Sequence, residues 1–189
     1  MPVLREEPNS FPADLFSQDG IVGRNPGRGW WVLRTKPRQE KAVAREHLQR
    51  HLPFFLPTTQ RQRVGRRGEQ TSFIPLFPGY MFSFVTDAER FEINRTGRLA
   101  SFLAVSDQME IWDELRNLYH LLDRGLNVHP VLKVQEGSKV TLRAGPLKGI
   151  TGIVLRNSGR CRFMVKIDFL QIGAAVEVNE ADLELTRKE

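Results

Sequence analysis

The pattern of apolar and polar residues changes once along this chain of 189 residues. Up to Gly125, segments rich in aromatic and β-branched residues alternate with segments whose apolar residues recur every three or four positions, as in an amphipathic helix. Beyond it, short apolar segments are separated by glycines, as in short strands joined by tight turns. We therefore predict an N-terminal domain over residues 28–125, a linker over 126–134, an all-β domain over 135–189 and, before them, an extension over 1–27.

The N-terminal domain is predicted to follow the order β-α-β-β-α-β-α. The predicted strands are Trp30–Thr35, Pro53–Pro57, Tyr80–Val85 and Ser101–Val105, and the predicted helices are 37–51, 87–97 and one that opens at Asp107. The polar, basic residues 58–71 are predicted to form a long loop or a hairpin tip. This order is typical of an α+β fold, here an α/β sandwich whose helices pack on one antiparallel sheet.

The third helix has the clearest periodicity in the chain. Asp107 and Glu110 have the spacing of a capping box, with Asp in place of Ser or Thr. An apolar stripe follows at Ile111, Leu115, Leu118 and Leu122. Gly125 is a natural stop after the last turn. We interpret the stripe as core packing.

The segment SFIPLFPGYMFSFV, residues 72–85, combines large apolar residues with two prolines and a glycine. A central strand does not tolerate Pro75 and Pro78, because proline lacks the N–H group that the ladder needs. In the strand that follows, alternate side chains point to opposite faces. One face carries Tyr80, Phe82 and Phe84, and the other carries Met81, Ser83 and Val85. One set must line the core, and the rings are either all buried or partly presented to a partner.

The C-terminal domain contains five predicted short strands, which is typical of a small β-barrel. Within EGSKVTLRAGPLKGITGIVL, residues 136–155, a strand runs to Arg143, turns and returns past Gly149. Pro146 presets the backbone of this turn and places Leu147 near its tip. An apolar side chain there is either tucked into the end of the barrel or offered to a partner.

The extension contains four prolines and three glycines, and neither a helical nor a strand period. This composition predicts a flexible tail. The alternative is a segment that docks on a partner.

Charge adds a second signal, because it is unevenly distributed. The formal net charge is +6. Residues 28–68 carry eleven Lys/Arg and two Asp/Glu, whereas residues 86–126 carry five and eight. An anionic polymer neutralises such a basic cluster and releases counterions; the alternative is a solvated loop that keeps the protein dissolved. We predict nucleic-acid contacts at Lys36, Arg38, Gln39, Lys41, Arg61, Arg63, Arg66 and Arg67.

Several classes of function have no motif in this sequence. The only cysteine is Cys161, so no internal disulfide is possible, which fits a reducing compartment. Neither a signal peptide nor an apolar run long enough to span a membrane is recognised, and a cytoplasmic location is expected. His47 and His51 have i,i+4 spacing but lack the other ligands of a metal site. The sequence predicts no enzymatic activity, no cofactor and no metal ion.

Several motifs together resemble one known family. The spacing G-x-K-V-x-L-x-x-G-P-L-K-G-x-x-G-x-V resembles the KOW motif, and WWVLRTKPRQEKAVAREHL followed by PLFPGYMFSFV resembles the N-terminal domain of NusG/RfaH-type transcription elongation factors. The resemblance covers about residues 29–186, and the forms KPRQEK and PLFPGY are closer to specialised paralogues than to housekeeping members. It implies an NGN-like domain over 28–125 and an SH3-like, five-stranded barrel, the KOW domain, over 135–189.

The resemblance implies three interaction sites. An apolar patch at a sheet edge docks on the clamp helices of RNA polymerase in the family, and the matching residues here are Trp30, Phe77, Pro78, Gly79, Tyr80 and Met81. The basic residues would face non-template or upstream DNA of the transcription bubble. The KOW turn would recruit a small-subunit ribosomal protein or the termination factor Rho through Gly145, Pro146, Leu147, Lys148 and Gly149. Leu147 replaces an aromatic residue that members often carry, which leaves the second partner undecided.

These observations predict a monomeric, non-enzymatic factor for transcription elongation or antitermination, which binds polymerase through its N-terminal domain. The first alternative, a KOW protein of the ribosome or its RNA, requires a basic barrel, but residues 135–189 carry nine basic and seven acidic residues. The second alternative is an unrecognised enzyme. Six glycines and Pro146 within residues 135–185 favour a stable barrel over a KOW domain refolded as helices.

Overall fold

A computed structural model describes the protein over residues 7–17, 27–65, 68–124, 128–131, 138–142, 148–157, 160–178 and 183–185. Its contacts divide the chain into two compact units, Met1–Gln108 and Met109–Glu189. The fold is α+β, as predicted. The division falls at the start of the third helix, which the sequence pattern assigned to the N-terminal domain. No helix within the described ranges is long and apolar enough to cross a membrane.

The first unit is built on an antiparallel sheet. Its strands are β1 (Ser10–Phe11), β2 (Gly29–Thr35), β3 (Phe54–Phe55), β4 (Thr58–Gly65), β5 (Gly68–Pro75), β6 (Tyr80–Val85) and β7 (Leu99–Ala104). Five of them form the sheet in the order β1-β3-β6-β2-β7, and β4 pairs with β5 alone. The predicted strands are therefore present, and the predicted loop or hairpin tip over 58–71 is a hairpin of two eight-residue strands.

The helices are α1 (Glu40–Gln49), α2 (Asp87–Asn94) and α3 (Gln108–Asp123). The first begins three residues later than predicted. Arg38 has a φ of 63°, outside the helical region, and the N–H of Gln39 donates to the carbonyl of Lys36 at 3.1 Å, so the chain turns before the helix starts. In α3 the fourth core residue is Leu121, whereas the half-buried Leu122 was predicted.

Both faces of the sheet are buried around its central strands. The cluster between the sheet and helices α1 and α2 contains Leu33, Val43, Ala44, Leu52, Phe54, Leu56, Met81, Val85, Ile93 and Leu99. The opposite face carries aromatic residues of β2, β3 and β6, which are also buried. Burial on both sides explains why β6 is an almost continuous apolar run.

The extension is not the flexible tail that its composition predicted, at least over residues 7–17. Ser10 and Phe11 pair with β3 as an edge strand. Leu15 and Phe16 are buried, with 0% and 3% of their surface exposed, and the Phe16 ring stacks on Trp30 with 6.0 Å between centroids and 3° between planes. The sequence pattern missed this because the contact joins residues fourteen positions apart and has no period. Residues 1–6 and 18–26 lie outside the described ranges.

The second unit contains α3 and a six-stranded antiparallel sheet. Its strands are β8 (His129–Val131), β9 (Ser138–Leu142), β10 (Thr151–Asn157), β11 (Arg160–Ile167), β12 (Ile172–Val178) and β13 (Leu183–Leu185), in the order β13-β9-β10-β11-β12-β8. A 3₁₀ turn, Asp168–Leu170, connects β11 to β12. Five strands were predicted, and the sixth, β8, lies in the residues predicted to be a linker. Pro130 is tolerated there because β8 is an edge strand.

Gly152 shows why a glycine lies within β10. A Cβ atom added at Gly152 would lie 2.5 Å from the carbonyl oxygen of Met164 and 2.7 Å from the ring of Phe163. Any larger residue would therefore push β10 away from β11, so the glycine permits the close approach of these strands.

Candidate interaction surfaces

A tight turn joins β5 to β6 and contains the Phe-Pro-Gly-Tyr sequence. The N–H of Tyr80 donates to the carbonyl of Phe77 at 3.1 Å, and Gly79 has a φ of +86°. Proline at the second position and a glycine with positive φ at the third are the signature of a type II turn. Pro78 is exposed and Gly79 is half-buried. The motif therefore encodes a rigid turn at the surface.

Glu40, the first residue of α1, holds this turn in place. Its Oε1 accepts a hydrogen bond from the N–H of Gly79 at 2.7 Å, while the carbonyl of Gly79 accepts one from the N–H of Thr35 at 2.8 Å. Only 7% of Glu40 is exposed, and a carboxylate is favoured by the dipole at this end of a helix. Sequence reasoning missed Glu40; the signal that could have identified it is one acid at a helix start within a strongly basic segment.

The six residues predicted to contact polymerase differ in exposure. Pro78 is exposed, and Gly79 and Tyr80 are half-buried. The other three are at most 1% exposed, namely Trp30, Phe77 and Met81. Met81 points into the cluster beneath α1 and α2, because side chains alternate along β6. The structure corrects the expectation that these three side chains lie at the surface.

The face of the sheet opposite α1 and α2 is lined by aromatic rings. Trp30 lies opposite Phe84 in the strand register, and their ring centroids are 5.3 Å apart. Phe55 lies opposite Phe82, with 6.4 Å between centroids. Tyr80 continues this row at the end of β6, opposite the exposed Arg34. Of this row, Tyr80 is the ring that reaches solvent in the structure.

Four of the predicted nucleic-acid contacts are cations without an acidic partner. Lys36, Arg38 and Arg61 are exposed and Lys41 is half-buried. In the part of the chain that the structure describes, no carboxylate pairs with any of the four. Other arginines of the unit are paired, namely Arg28 with Glu89, Arg45 with Glu7, Arg90 with Asp87, Arg95 with Glu92 and Arg98 with Glu46. The unpaired charges are available to an external anion.

Gln39 differs from these cations because its side chain has a partner within the protein. Its side-chain oxygen accepts a hydrogen bond from Arg98 at 2.7 Å, and Arg98 also donates to Glu46 at 2.6 Å. Gln39 therefore supports the start of α1. The other predicted contacts, Arg66 and Arg67, lie outside the described residues, as does the side chain of Arg63.

The hairpin β4–β5 has solvent on both of its faces. Eight residue pairs register along it, from Thr58 opposite Pro75 to Gly65 opposite Gly68. The consecutive residues Gln60, Arg61 and Gln62 are all exposed, although neighbours along a strand point to opposite faces. An eight-residue strand is about 26 Å long.

The predicted partner turn of the second unit is described only at its end. Gly145, Pro146 and Leu147 lie outside the described residues, whereas Lys148 and Gly149 are exposed. The N–H of Gly149 donates to the carbonyl of Leu142 at 2.7 Å, which closes the turn between β9 and β10. The two alternatives for Leu147 therefore stay predictions.

A group of three carboxylates lies within the second unit, at Glu110, Glu114 and Asp168. Their oxygen atoms lie within 4.8 Å of one another, an arrangement that hard cations bind. Here Lys166 forms an ion pair with Asp168, and the N–H of Asp168 donates to Glu114 at 2.8 Å. Burial, with the nearby carboxylates of Asp168 and Glu110, raises the pKa of Glu114 to about 7.

His47 is a structural residue of the first unit. Its Nδ1 lies 2.8 Å from the carbonyl oxygen of Val43 and its Nε2 lies 3.0 Å from Oγ of Ser83. A neutral ring with the proton on Nδ1 satisfies both contacts. Burial lowers the pKa of His47 to about 4, so the ring is neutral at pH 7. His51 is exposed, and the Phe11 ring contacts it edge-on at 6.0 Å.

Residues 28–118 of the chain, just under half of its length, match the NusG family model, "Transcription termination factor nusG". The chain is also similar to a solved structure titled "Domain interaction in Thermotoga maritima NusG", with 17% sequence identity, 85% of this chain and 98% of the other covered, and a TM-score of 0.44. No curated protein sequence matches the chain. The family match spans β2 to β7, α1, α2 and part of α3.

Proposed function

We propose that this chain is a transcription elongation and antitermination factor that acts by binding RNA polymerase. The observation that carries the proposal is that the segment matching the NusG family model has a rigid turn, with Pro78 exposed and Gly79 and Tyr80 half-buried, next to cations that no described carboxylate pairs with. Apolar rings beside positive charge suit a partner that combines protein and nucleic acid. Within this proposal the protein is a monomer and works through contacts rather than chemistry.

The polymerase contact is proposed at the turn and at the row of rings that continues from it. Pro78 and Tyr80 are accessible now, and Arg34 opposite Tyr80 adds a cation at the same edge. Aromatic and arginine side chains dominate the binding free energy of protein interfaces. The clamp helices of RNA polymerase are the proposed partner, since a helix pair can pack its apolar face on such a row.

The nucleic-acid contact is proposed at the hairpin and at the turn before α1. Lys36, Arg38, Lys41 and Arg61 have no carboxylate within the described residues to neutralise them. We expect them to contact phosphates of the non-template or upstream DNA in the transcription bubble, and arginines of the hairpin to stack on unpaired bases. Binding polymerase and displaced strand together disfavours pausing, because opening of the polymerase clamp would break both contacts.

The second unit is proposed to recruit another protein. Its strand order β13-β9-β10-β11-β12 is compatible with closure into a small SH3-like barrel of the KOW type. The turn at residues 145–149 is the proposed contact, and a small-subunit ribosomal protein or Rho is the proposed partner. In this proposal the domain boundary lies within residues 126–134, as the sequence pattern suggested.

Replacing Tyr80 tests the polymerase contact. We expect Tyr80→Ala to weaken binding of the full-length chain to core RNA polymerase by roughly tenfold or more, because a central aromatic ring is a typical hot spot. Bio-layer interferometry with immobilised polymerase measures the affinity, and pause lifetimes in transcription in vitro measure the consequence.

Phe91→Ala is the matched control, since Phe91 on α2 is 66% exposed and belongs to neither proposed surface. Its binding should equal that of the unmodified chain. Equal binding by Tyr80→Ala and Phe91→Ala would contradict the proposed polymerase contact.

A further inference from the structure

Residues 12–17 cover part of the row of rings. The Phe16 ring lies parallel to Trp30 at 6.0 Å and meets Phe55 edge-on at 5.1 Å. Leu15 beside it is fully buried. The Phe16 ring of the N-terminal segment therefore lies over rings that belong to β2 and β3.

The covered rings and Tyr80 lie on one face of the sheet. Trp30 is opposite Phe84, and Arg34 is opposite Tyr80. Because every second side chain of a strand points to the same face, these four side chains lie on one face of the sheet. Trp30 was expected to contact polymerase and is instead 1% exposed beneath Phe16. Under the proposed function, the segment occupies one end of the surface that the partner needs.

The N-terminal segment is attached to the sheet by backbone hydrogen bonds at residues 9–11 and by side-chain contacts at residues 12–17. Ser10 and Phe11 pair with β3, and the N–H of Leu56 donates to the carbonyl of Asn9 at 2.6 Å. Beyond them, the N–H groups of Leu15 and Ser17 donate to carbonyls of Pro12 and Asp14, inside the segment itself. The described contacts of residues 12–17 with the sheet are the ring contacts of Phe16 with Trp30 and Phe55.

Side-chain packing of this segment on the rings can be replaced by packing of a partner on the same rings. Lifting Leu15 and Phe16 away breaks none of the described ladder hydrogen bonds, and the apolar surface that it exposes is buried again if a partner packs there. Strand β1 stays paired and keeps the segment tethered nearby, so it returns when the partner leaves. A reversible cap requires a permanent tether and a contact that can be displaced. Strand β1 provides the tether, and the packing of Phe16 on the rings provides the contact.

We infer that residues 12–17 are an autoinhibitory cap, which shields Trp30 and its neighbouring rings in the free protein and is displaced when the polymerase docks. This inference rests on the proposed function and adds a regulatory step to it. The apparent affinity of the free protein for polymerase is its intrinsic affinity multiplied by the fraction of molecules whose cap is open. Loosening the cap therefore strengthens binding.

Phe16→Ala in the full-length chain tests the cap. We expect its affinity for core RNA polymerase to rise roughly tenfold above that of the unmodified chain, if fewer than about a tenth of the free molecules are open. Phe16→Leu, which keeps an apolar side chain but removes the stacked ring, should give a smaller rise. It serves as the second variant if Phe16→Ala does not fold, and Phe91→Ala should give no rise.

A second readout follows the cap in the absence of polymerase. In a background carrying Trp31→Phe and Trp112→Phe, Trp30 is the remaining tryptophan. We expect Phe16→Ala to increase acrylamide quenching of its fluorescence and to shift its emission to the red.

The outcomes separate the two proposals. If Phe16→Ala and Phe16→Leu fold, Tyr80→Ala weakens binding, and removal of the Phe16 ring leaves affinity unchanged or lowers it, the cap is overturned while the polymerase contact stands. If neither the unmodified chain nor the Phe16 variants bind polymerase, the proposed function fails and the cap fails with it. A rise in affinity with greater exposure of Trp30 supports both.

Discussion

Single side chains determine the shape of the proposed polymerase contact. Glu40 is the clearest example, since its carboxylate joins the start of α1 to the backbone of Gly79 at 2.7 Å. The turn has a proline and a glycine at its centre, so it has few hydrogen-bonding side chains of its own. Glu40 supplies from α1 the acceptor that the partly buried N–H of Gly79 requires.

Removing the Glu40 acceptor should loosen the turn. We expect Glu40→Ala to lower the free energy of unfolding of the first unit by about 1–3 kcal/mol, the cost of leaving a buried donor unsatisfied. Urea unfolding measures the decrease. Glu40→Gln keeps an oxygen in the same position and should retain most of the stability, and an equal decrease in both variants would show that the negative charge rather than the hydrogen bond stabilises the turn.

Among the elements, the hairpin β4–β5 differs most from its surroundings. It pairs with no other strand of the described residues and exposes both faces near Arg61. A two-stranded hairpin without a packed face is marginally stable in water. Under the proposed function, these eight residue pairs position Arg61 for contact with nucleic acid.

Binding of single-stranded DNA should depend on salt through these cations. We expect the plot of log affinity against log salt concentration to become shallower by roughly 0.7 for each cation that no longer neutralises a phosphate. Arg61→Gln and Lys36→Gln should each produce such a change, and fluorescence anisotropy with a labelled oligonucleotide measures it. Arg95→Gln is the matched control, because Arg95 is already paired with Glu92 at 3.3 Å; a slope change there of the same size would point to net charge rather than to specific contacts.

At the level of the whole chain, each unit contains a titratable group whose pKa is shifted, and the two shifts have opposite directions. Burial lowers the pKa of His47 in the first unit to about 4, below its ordinary value of 6.5. Burial and neighbouring carboxylates raise the pKa of Glu114 in the second unit to about 7, above its ordinary value of 4.5. Folding of the first unit therefore disfavours proton uptake, and folding of the second unit favours it.

The units should consequently respond to pH in opposite directions. The first unit should lose stability as pH falls from 6.5 towards 4, by about 2 kcal/mol at pH 5. The contribution of Glu114 is present below pH 4.5 and is lost as pH rises through 7; it is smaller than the pKa shift suggests, since solvent screens a partly exposed group. Urea unfolding at several pH values tests this, with Trp30 and Trp31 reporting on the first unit and Trp112 on the second.

Conservative replacements identify the groups responsible. His47→Gln should flatten the pH dependence of the first unit between pH 4 and 6.5, and Glu114→Gln should flatten that of the second between pH 5 and 8. If a variant changes the pH dependence of the other unit's stability, or if neither variant changes any pH dependence, the assignment of the pH dependence to these two groups is incorrect.

The order of elements in the first unit was readable from the sequence because it depends on local periods. The strand Tyr80–Val85 and the helix whose apolar stripe begins at Ile111 were each recognised from residues within one element. Both elements are present where they were predicted, although the fourth core residue of the helix is Leu121 and not Leu122. The Phe-Pro-Gly-Tyr motif likewise encodes its turn, since Pro78 and Gly79 restrict the backbone themselves.

Contacts between distant parts of the chain were not readable in this way. Phe16 on Trp30, Glu40 on Gly79 and Glu114 on Asp168 join residues with no common period. Alternation along β6 established that its side chains fall into two sets, but not that both would be buried. That outcome required layers on both sides of the sheet, because burial is a property of what packs against a residue rather than of the residue's own sequence neighbours.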